Sequence, residues 1–151
     1  MEREQTTKSG ARGRPGEAWA PGLDRQELAA VFAGGFIGAL ARAALVQGLG
    51  SRPGSWPWGT FGVNIAGALL LGYFITRLQE RLPPSLYRRS FLGSGICGAL
   101  TTFSTMMVEL LRMLDEAHWA LAAGYGTASV LCGLGAVLLS TKMVRRARLA
   151  R

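Results

Sequence analysis

The sequence predicts an all-α membrane protein with four transmembrane helices, and three observations predict it. First, the charges are segregated. None falls between Arg52 and Arg77, between Arg89 and Glu109, or between Glu116 and Lys142, leaving gaps of 24, 19 and 25 residues. Roughly 20 apolar residues cross a bilayer core, so each gap holds one helix. Second, a further apolar stretch runs from Glu27 to Gly48, interrupted only by Arg42. Third, 49% of the 151 residues are hydrophobic, only 9 are acidic and 21 are glycine. A soluble chain of this length interleaves charge throughout, whereas glycine is commoner in membrane helices than in soluble ones.

These features divide the chain into a polar tail over residues 1–26, expected to be disordered, a four-helix membrane domain over 27–142, and a basic tail over 143–151. The first span starts too late for a signal peptide and lacks a small-residue cleavage site. The net charge of +8 raises the question of nucleic acid. Its distribution argues against that partner and for membrane lipid, because Lys and Arg gather at the two termini and in the middle loop. Four spans place those three regions on one side, with fourteen Lys and Arg residues against Arg52 and Arg112 on the other. Basic loops stay cytoplasmic, so a multi-pass plasma-membrane protein with both termini inside is expected.

Span one holds Gly34-Gly35-Phe36-Ile37-Gly38-Ala39-Leu40-Ala41-Arg42, where Gly34, Gly38 and Ala41 mark a face for close helix packing. Arg42 is costly in a span. It either snorkels to the interface or stands in a vestibule as a positive charge that attracts anions. Span two opens with Trp56-Pro57-Trp58-Gly59-Thr60-Phe61-Gly62-Val63-Asn64. Tryptophan suits the interface and proline a first helical turn. Thr60 and Asn64 are one turn apart and share a face. Asn64 either bonds a neighbouring helix or offers its donors to a pathway.

Span three is the most informative. Gly93-Ser94-Gly95-Ile96-Cys97-Gly98-Ala99-Leu100-Thr101-Thr102-Phe103-Ser104-Thr105-Met106-Met107 is apolar enough for lipid, yet rich in glycine and hydroxyls. In hydrocarbon such backbone survives only where it is buried in protein or lines a cavity. Gly95, Gly98 and the Thr101-Thr102 pair either form a GxxG-like packing face or, the sharper expectation, mark a break in the third helix that exposes carbonyls and N–H groups at membrane depth. Phe103, Met106 and Glu109, each three apart, share one face beyond the break. Span four repeats the pattern with Tyr125 and Ser129, four apart, as a second line of hydroxyls; packing explains them equally well. Cys97 and Cys132 both fall inside spans and read as small buried residues rather than a disulfide. His118, at the edge of the last span, reads as interfacial. With no nucleophile–base pair and no metal cluster, an enzyme is not expected.

Together these motifs resemble the Fluc, or CrcB-type, fluoride channel family. The similarity covers about residues 33–141 and rests on the glycine-rich stretch ending at Arg42, on Trp58-Gly59-Thr60-Phe61-Gly62-Val63-Asn64 and on Gly98-Ala99-Leu100-Thr101-Thr102-Phe103-Ser104-Thr105. The resemblance implies passive export of cytoplasmic fluoride, which lowers its toxicity, by an antiparallel, dual-topology-type dimer with two pathways. It places Asn64, Phe103, Thr102, Ser104, Thr60, Tyr125 and Ser129 along the pathway, Glu109 near one end and Arg42 in the vestibule. It also implies a structural sodium ion (Na+) at the dimer centre, held by the backbone carbonyls of Gly98 and Thr101. The chemistry is coherent: stripped fluoride needs fixed neutral donors, and a phenyl edge is weakly positive.

Two departures stand out. Met106 replaces a second pore phenylalanine of the family, and Ala43 replaces a frequent tyrosine. The charge bias is also lopsided for a chain that inserts both ways, so a heterodimer with an oppositely oriented paralogue stands beside a homodimer. A small four-helix multidrug or cation transporter is the rival class. It needs a mid-span carboxylate in span one, where this chain has Arg42.

Overall fold

A computed structural model describes residues 24–50, 54–79 and 86–149. Residues 1–23 of the expected N-terminal tail, with 150–151, lie outside the described residues. Every regular element among the described residues is helical: α1 (Arg25–Leu49), α2 (Trp58–Gln79), α3 (Leu86–Arg89), a π-helical segment (Ser90–Cys97), α4 (Gly98–Leu100), α5 (Phe103–Asp115) and α6 (Trp119–Leu149). Four helical stretches, Arg25–Leu49, Trp58–Leu78, Tyr87–Asp115 and Trp119–Ala147, are long and apolar enough to cross a membrane. The chain is an all-α, multi-pass membrane protein.

α1 begins where Asp24 caps it, Oδ1 accepting from Gln26 N–H at 3.0 Å. Two side-chain bonds tie this end to the third span. Tyr87 OH donates to Asp24 Oδ2 at 2.8 Å, and Ser90 Oγ donates to Glu27 Oε1 at 2.7 Å. Spans one and three thus start on the same side, as alternate crossings of one bundle require.

α1 packs chiefly on the π segment and α4, and α2 packs chiefly on α6. The α1 seam depends on missing side chains. A Cβ at Gly34 would strike the Phe91 carbonyl oxygen, and one at Gly38 would strike that of Ile96. Small residues permit this backbone approach, and lipid supplies no hydrophobic drive to replace the packing. A single-turn π-bulge is the usual form of this helix type; here the π geometry runs for eight residues, over Ser90–Cys97.

α5 and α6 meet at a tight reversal. Ala117 N–H bonds Leu114 O at 3.1 Å and His118 N–H bonds Met113 O at 2.7 Å, with Ala117 at φ 59°. That is the Schellman arrangement, with alanine where glycine is usual. His118 lies here at the end of the span, exposed, with Nδ1 3.5 Å from Glu116 Oε2. Both cysteines are free; Cys97 is buried, but Cys132 faces outward, unlike the buried position expected. The main buried cluster, Met106, Met113, Ala122 and Tyr125, joins α5 to α6 at the same end. Elsewhere the spans present apolar side chains outward, including Phe32, Phe36, Val130 and Leu131.

Candidate functional site

The helical run of the third span is interrupted at Thr101 and Thr102. Both are extended, at φ −77°, ψ 151° and φ −145°, ψ 116°. In a continuing helix the Thr102 N–H would close on the Gly98 carbonyl. It donates instead to Asn64 Oδ1 at 2.7 Å, while Asn64 Nδ2 donates to Thr102 O at 3.1 Å. The Asn64 amide thus acts as a second strand would, satisfying both polar groups of one extended residue. This is the interhelical role for Asn64, and it leaves one Nδ2–H uncommitted.

The next turn is diverted in the same way. Thr105 N–H donates to Thr102 Oγ1 at 3.2 Å, and the Thr102 hydroxyl donates to Thr105 Oγ1 at 2.9 Å. Thr102 is thus the N-cap of α5. That bond draws the Thr105 N–H away from the Thr101 carbonyl, which accepts from Arg42 Nη1 at 3.4 Å. Arg42 reaches it because Gly38, one turn earlier, lets α1 lie against Ile96 and Leu100. The guanidinium is half-buried at the interruption and bonds protein, rather than simply snorkelling to the interface. Side chains from two other spans and from α5 itself therefore hold the backbone open between Gly98 and Thr105.

A cavity of about 270 Å³ adjoins this point, lined by Asn64, Thr101, Thr102, Phe103, Met106, Ser129 and Val130. It brings together α2, α5 and α6. α5 begins there, so the positive end of its helix dipole lies at the cavity. Ser129 Oγ is buried and has no hydrogen-bond partner among the described residues. Such a hydroxyl is costly unless something enters to accept or donate. Phe103 lines the cavity yet is 70% exposed, whereas Met106 is 6% exposed, so the ring stands at the open side and the thioether forms the inner wall.

Thr60, Glu109 and Tyr125 form a second group one turn away on each helix. Thr60 Oγ1 donates to Glu109 Oε1 at 2.6 Å and Tyr125 OH donates to Glu109 Oε2 at 2.8 Å. Both hydroxyls are buried, and their protons point at the carboxylate rather than into open space. Thr60 of span two and Tyr125 of span four therefore converge on one acid, whereas Asn64 and Ser129, one turn away, do not reach it. Ser104 is exposed and 3.4 Å from Thr102 Oγ1, outside the cavity lining, and Gly98 is exposed on the other side of the interruption.

Three contributors escaped the sequence reading. Thr105 was visible as the second threonine of a Thr-x-x-Thr cap. Val130 carries no polar signal. Trp56 stands edge-on to the Tyr125 ring, with centroids 5.5 Å apart, and buttresses the residue that bonds Glu109.

Four apolar crossings, an extended step held open by side chains and a small neutral cavity beside it define a multi-pass membrane protein with a polar opening within its third span. Comparison with known proteins narrows the class. The family described as CrcB-like protein, Camphor Resistance (CrcB), matches residues 29–141, and this chain belongs to it. One relative, fluoride-specific ion channel FluC 1 of Mycolicibacterium paratuberculosis, is 63% identical over 128 residues, covering 85% of this chain and 97% of its own. FluC 1 of Mycobacterium bovis is 59% identical over 131 residues, covering 87% and 99%. FluC 3 of Streptomyces avermitilis is 40% identical over 133 residues, covering 85% and 65%. The family is one of ion channels, not enzymes.

Proposed function

We propose that this chain conducts fluoride passively across the cell membrane, and that the cavity beside Thr102 is a station on its path. The observation that carries this reading is the buried, unpartnered Ser129 hydroxyl facing the same space as Asn64 and Phe103. Fluoride gives up its hydration only where fixed donors replace it. The Ser129 hydroxyl, the spare Nδ2–H of Asn64, the edge of the Phe103 ring and the α5 dipole are all favourable to an anion, and none carries a formal charge that would trap it. Glu109 holds Thr60 and Tyr125 at one end of this path, and Ser104 flanks it outside Thr102. The multidrug-transporter alternative is not favoured, since the relatives above bear the name fluoride channel.

The interruption at Thr101–Thr102 is, in this reading, the functional break of the third span, and the exposed Phe103 ring awaits a second copy. The chain works as an antiparallel dimer in lipid, with the basic termini of this copy cytoplasmic. The excess of Lys and Arg on one side supports a heterodimer with an oppositely biased paralogue, beside the homodimer. A sodium ion fits the Gly98 and Thr101 carbonyls, which are hard oxygen donors released from helical bonding by Asn64 and by Thr102. When bound it would supply a fixed positive field, with a second copy adding matching ligands.

Fluoride efflux from proteoliposomes, with chloride as control, tests the proposal. Fluoride alone should leave, and Asn64→Ala and Phe103→Ile should slow it. Equal chloride and fluoride rates would overturn the function. Unchanged flux in both variants would overturn the site while leaving the function standing.

A further inference from the structure

We infer that Arg42 and a monovalent cation compete for the Thr101 carbonyl, so that cation binding at the interruption displaces the guanidinium. The inference rests on the proposed sodium site and adds a residue to it. Arg42 Nη1 donates to Thr101 O at 3.4 Å, a long bond for a group of this strength. It donates to a carbonyl whose helical partner, the Thr105 N–H, is taken by Thr102 Oγ1 at 3.2 Å. The guanidinium therefore stands where a resident cation would, on an oxygen that attracts either.

The two cannot share that oxygen comfortably. Arg42 is half-buried, and in such surroundings like charges on a common ligand repel far more than in water. The acids that hydrogen-bond near this seam are no counter-ions to Arg42. Asp24 and Glu27 accept from Tyr87 and Ser90 at the far start of α1, and Glu109 accepts from Thr60 and Tyr125. Gly38 fixes the α1 backbone against Ile96 and Leu100, so the side chain rather than the helix must move. A cation on Thr101 O thus turns a carbonyl-bound guanidinium into a freed positive charge.

Thermal unfolding of the full chain in detergent, titrated with sodium against N-methylglucamine at constant ionic strength, reads the apparent sodium affinity without reference to flux. Arg42→Gln should lower the sodium midpoint on the order of tenfold, while Arg42→Lys, which keeps the charge, should stay within about threefold of wild type. Arg42→Ala serves as the neutral variant if Arg42→Gln does not fold. An unchanged midpoint in the neutral variant would overturn the competition and leave the sodium site standing. Sodium-independent unfolding in wild type and every variant would remove the site, and the competition with it.

Discussion

Asn64 and Thr102 form a closed pair: the Asn64 amide accepts the Thr102 N–H at 2.7 Å and donates to the Thr102 carbonyl at 3.1 Å. One side chain on span two therefore does for an extended residue on span three what a helix would have done through its own backbone. Asn64→Ala orphans both groups. Each should cost about 1–3 kcal/mol, read as a lower Tm in detergent together with slower fluoride efflux. Asn64→Asp restores the acceptor but not the donor. It should recover part of the Tm and none of the flux, because a carboxylate then faces the anion path.

The α1 seam predicts a contrast among glycines. Gly34→Ala and Gly38→Ala each drive a methyl into a backbone carbonyl, of Phe91 and Ile96, which cannot rotate away. Each should destabilise by about 1–3 kcal/mol and lower the yield of folded protein. Gly62→Ala meets nothing within 4 Å and should be neutral or stabilise by up to about 1 kcal/mol through helix propensity. Parallel thermal unfolding of the three variants separates the cases.

Ala117 sits at φ 59° in the α5–α6 reversal, a conformation that costs an L-residue about 1–2 kcal/mol. Ala117→Gly should recover part of that cost. The expected outcome is a higher Tm with fluoride efflux unchanged, since the turn touches none of the cavity residues. A lower Tm would mean the turn is held by something other than its backbone bonds.

How much of this was legible in the sequence differs by level. Three of the four crossings were written in charge-free gaps and the first in an apolar stretch broken only by Arg42, because the cost of burying charge in lipid applies residue by residue. The Thr60–Asn64 and Tyr125–Ser129 pairs were legible as shared faces, because helical spacing fixes which residues lie one above another. What those faces meet was not. Spacing along α2 and α6 cannot say that Thr60 and Tyr125 converge on Glu109, since that depends on how three helices rotate against each other. Nor can it say that the partner of Asn64 is a backbone group. The π geometry of Ser90–Cys97 was also hidden; Gly93 and Gly95 permit it, but no local pattern demands it.

The Glu109 cluster is open to a double-mutant cycle. Tyr125→Phe removes the 2.8 Å donor and Thr60→Val the 2.6 Å donor to the same carboxylate. Each should cost about 1.5–3 kcal/mol, the range for hydrogen bonds to charged groups. Pairing either with Glu109→Gln should show a coupling of about 1 kcal/mol or more. Strict additivity would mean the three groups act independently.

The most direct measurement is fluoride efflux through Ser129→Ala beside wild type, with Tm recorded for both. Ser129 Oγ has no hydrogen-bond partner among the described residues, so its removal should leave Tm unchanged or raise it, by about 1–3 kcal/mol at most. If that hydroxyl meets the passing anion, fluoride efflux should fall on the order of tenfold, the worth of one hydrogen bond, while chloride stays excluded. Wild-type efflux from the alanine variant would contradict a fluoride station in this cavity.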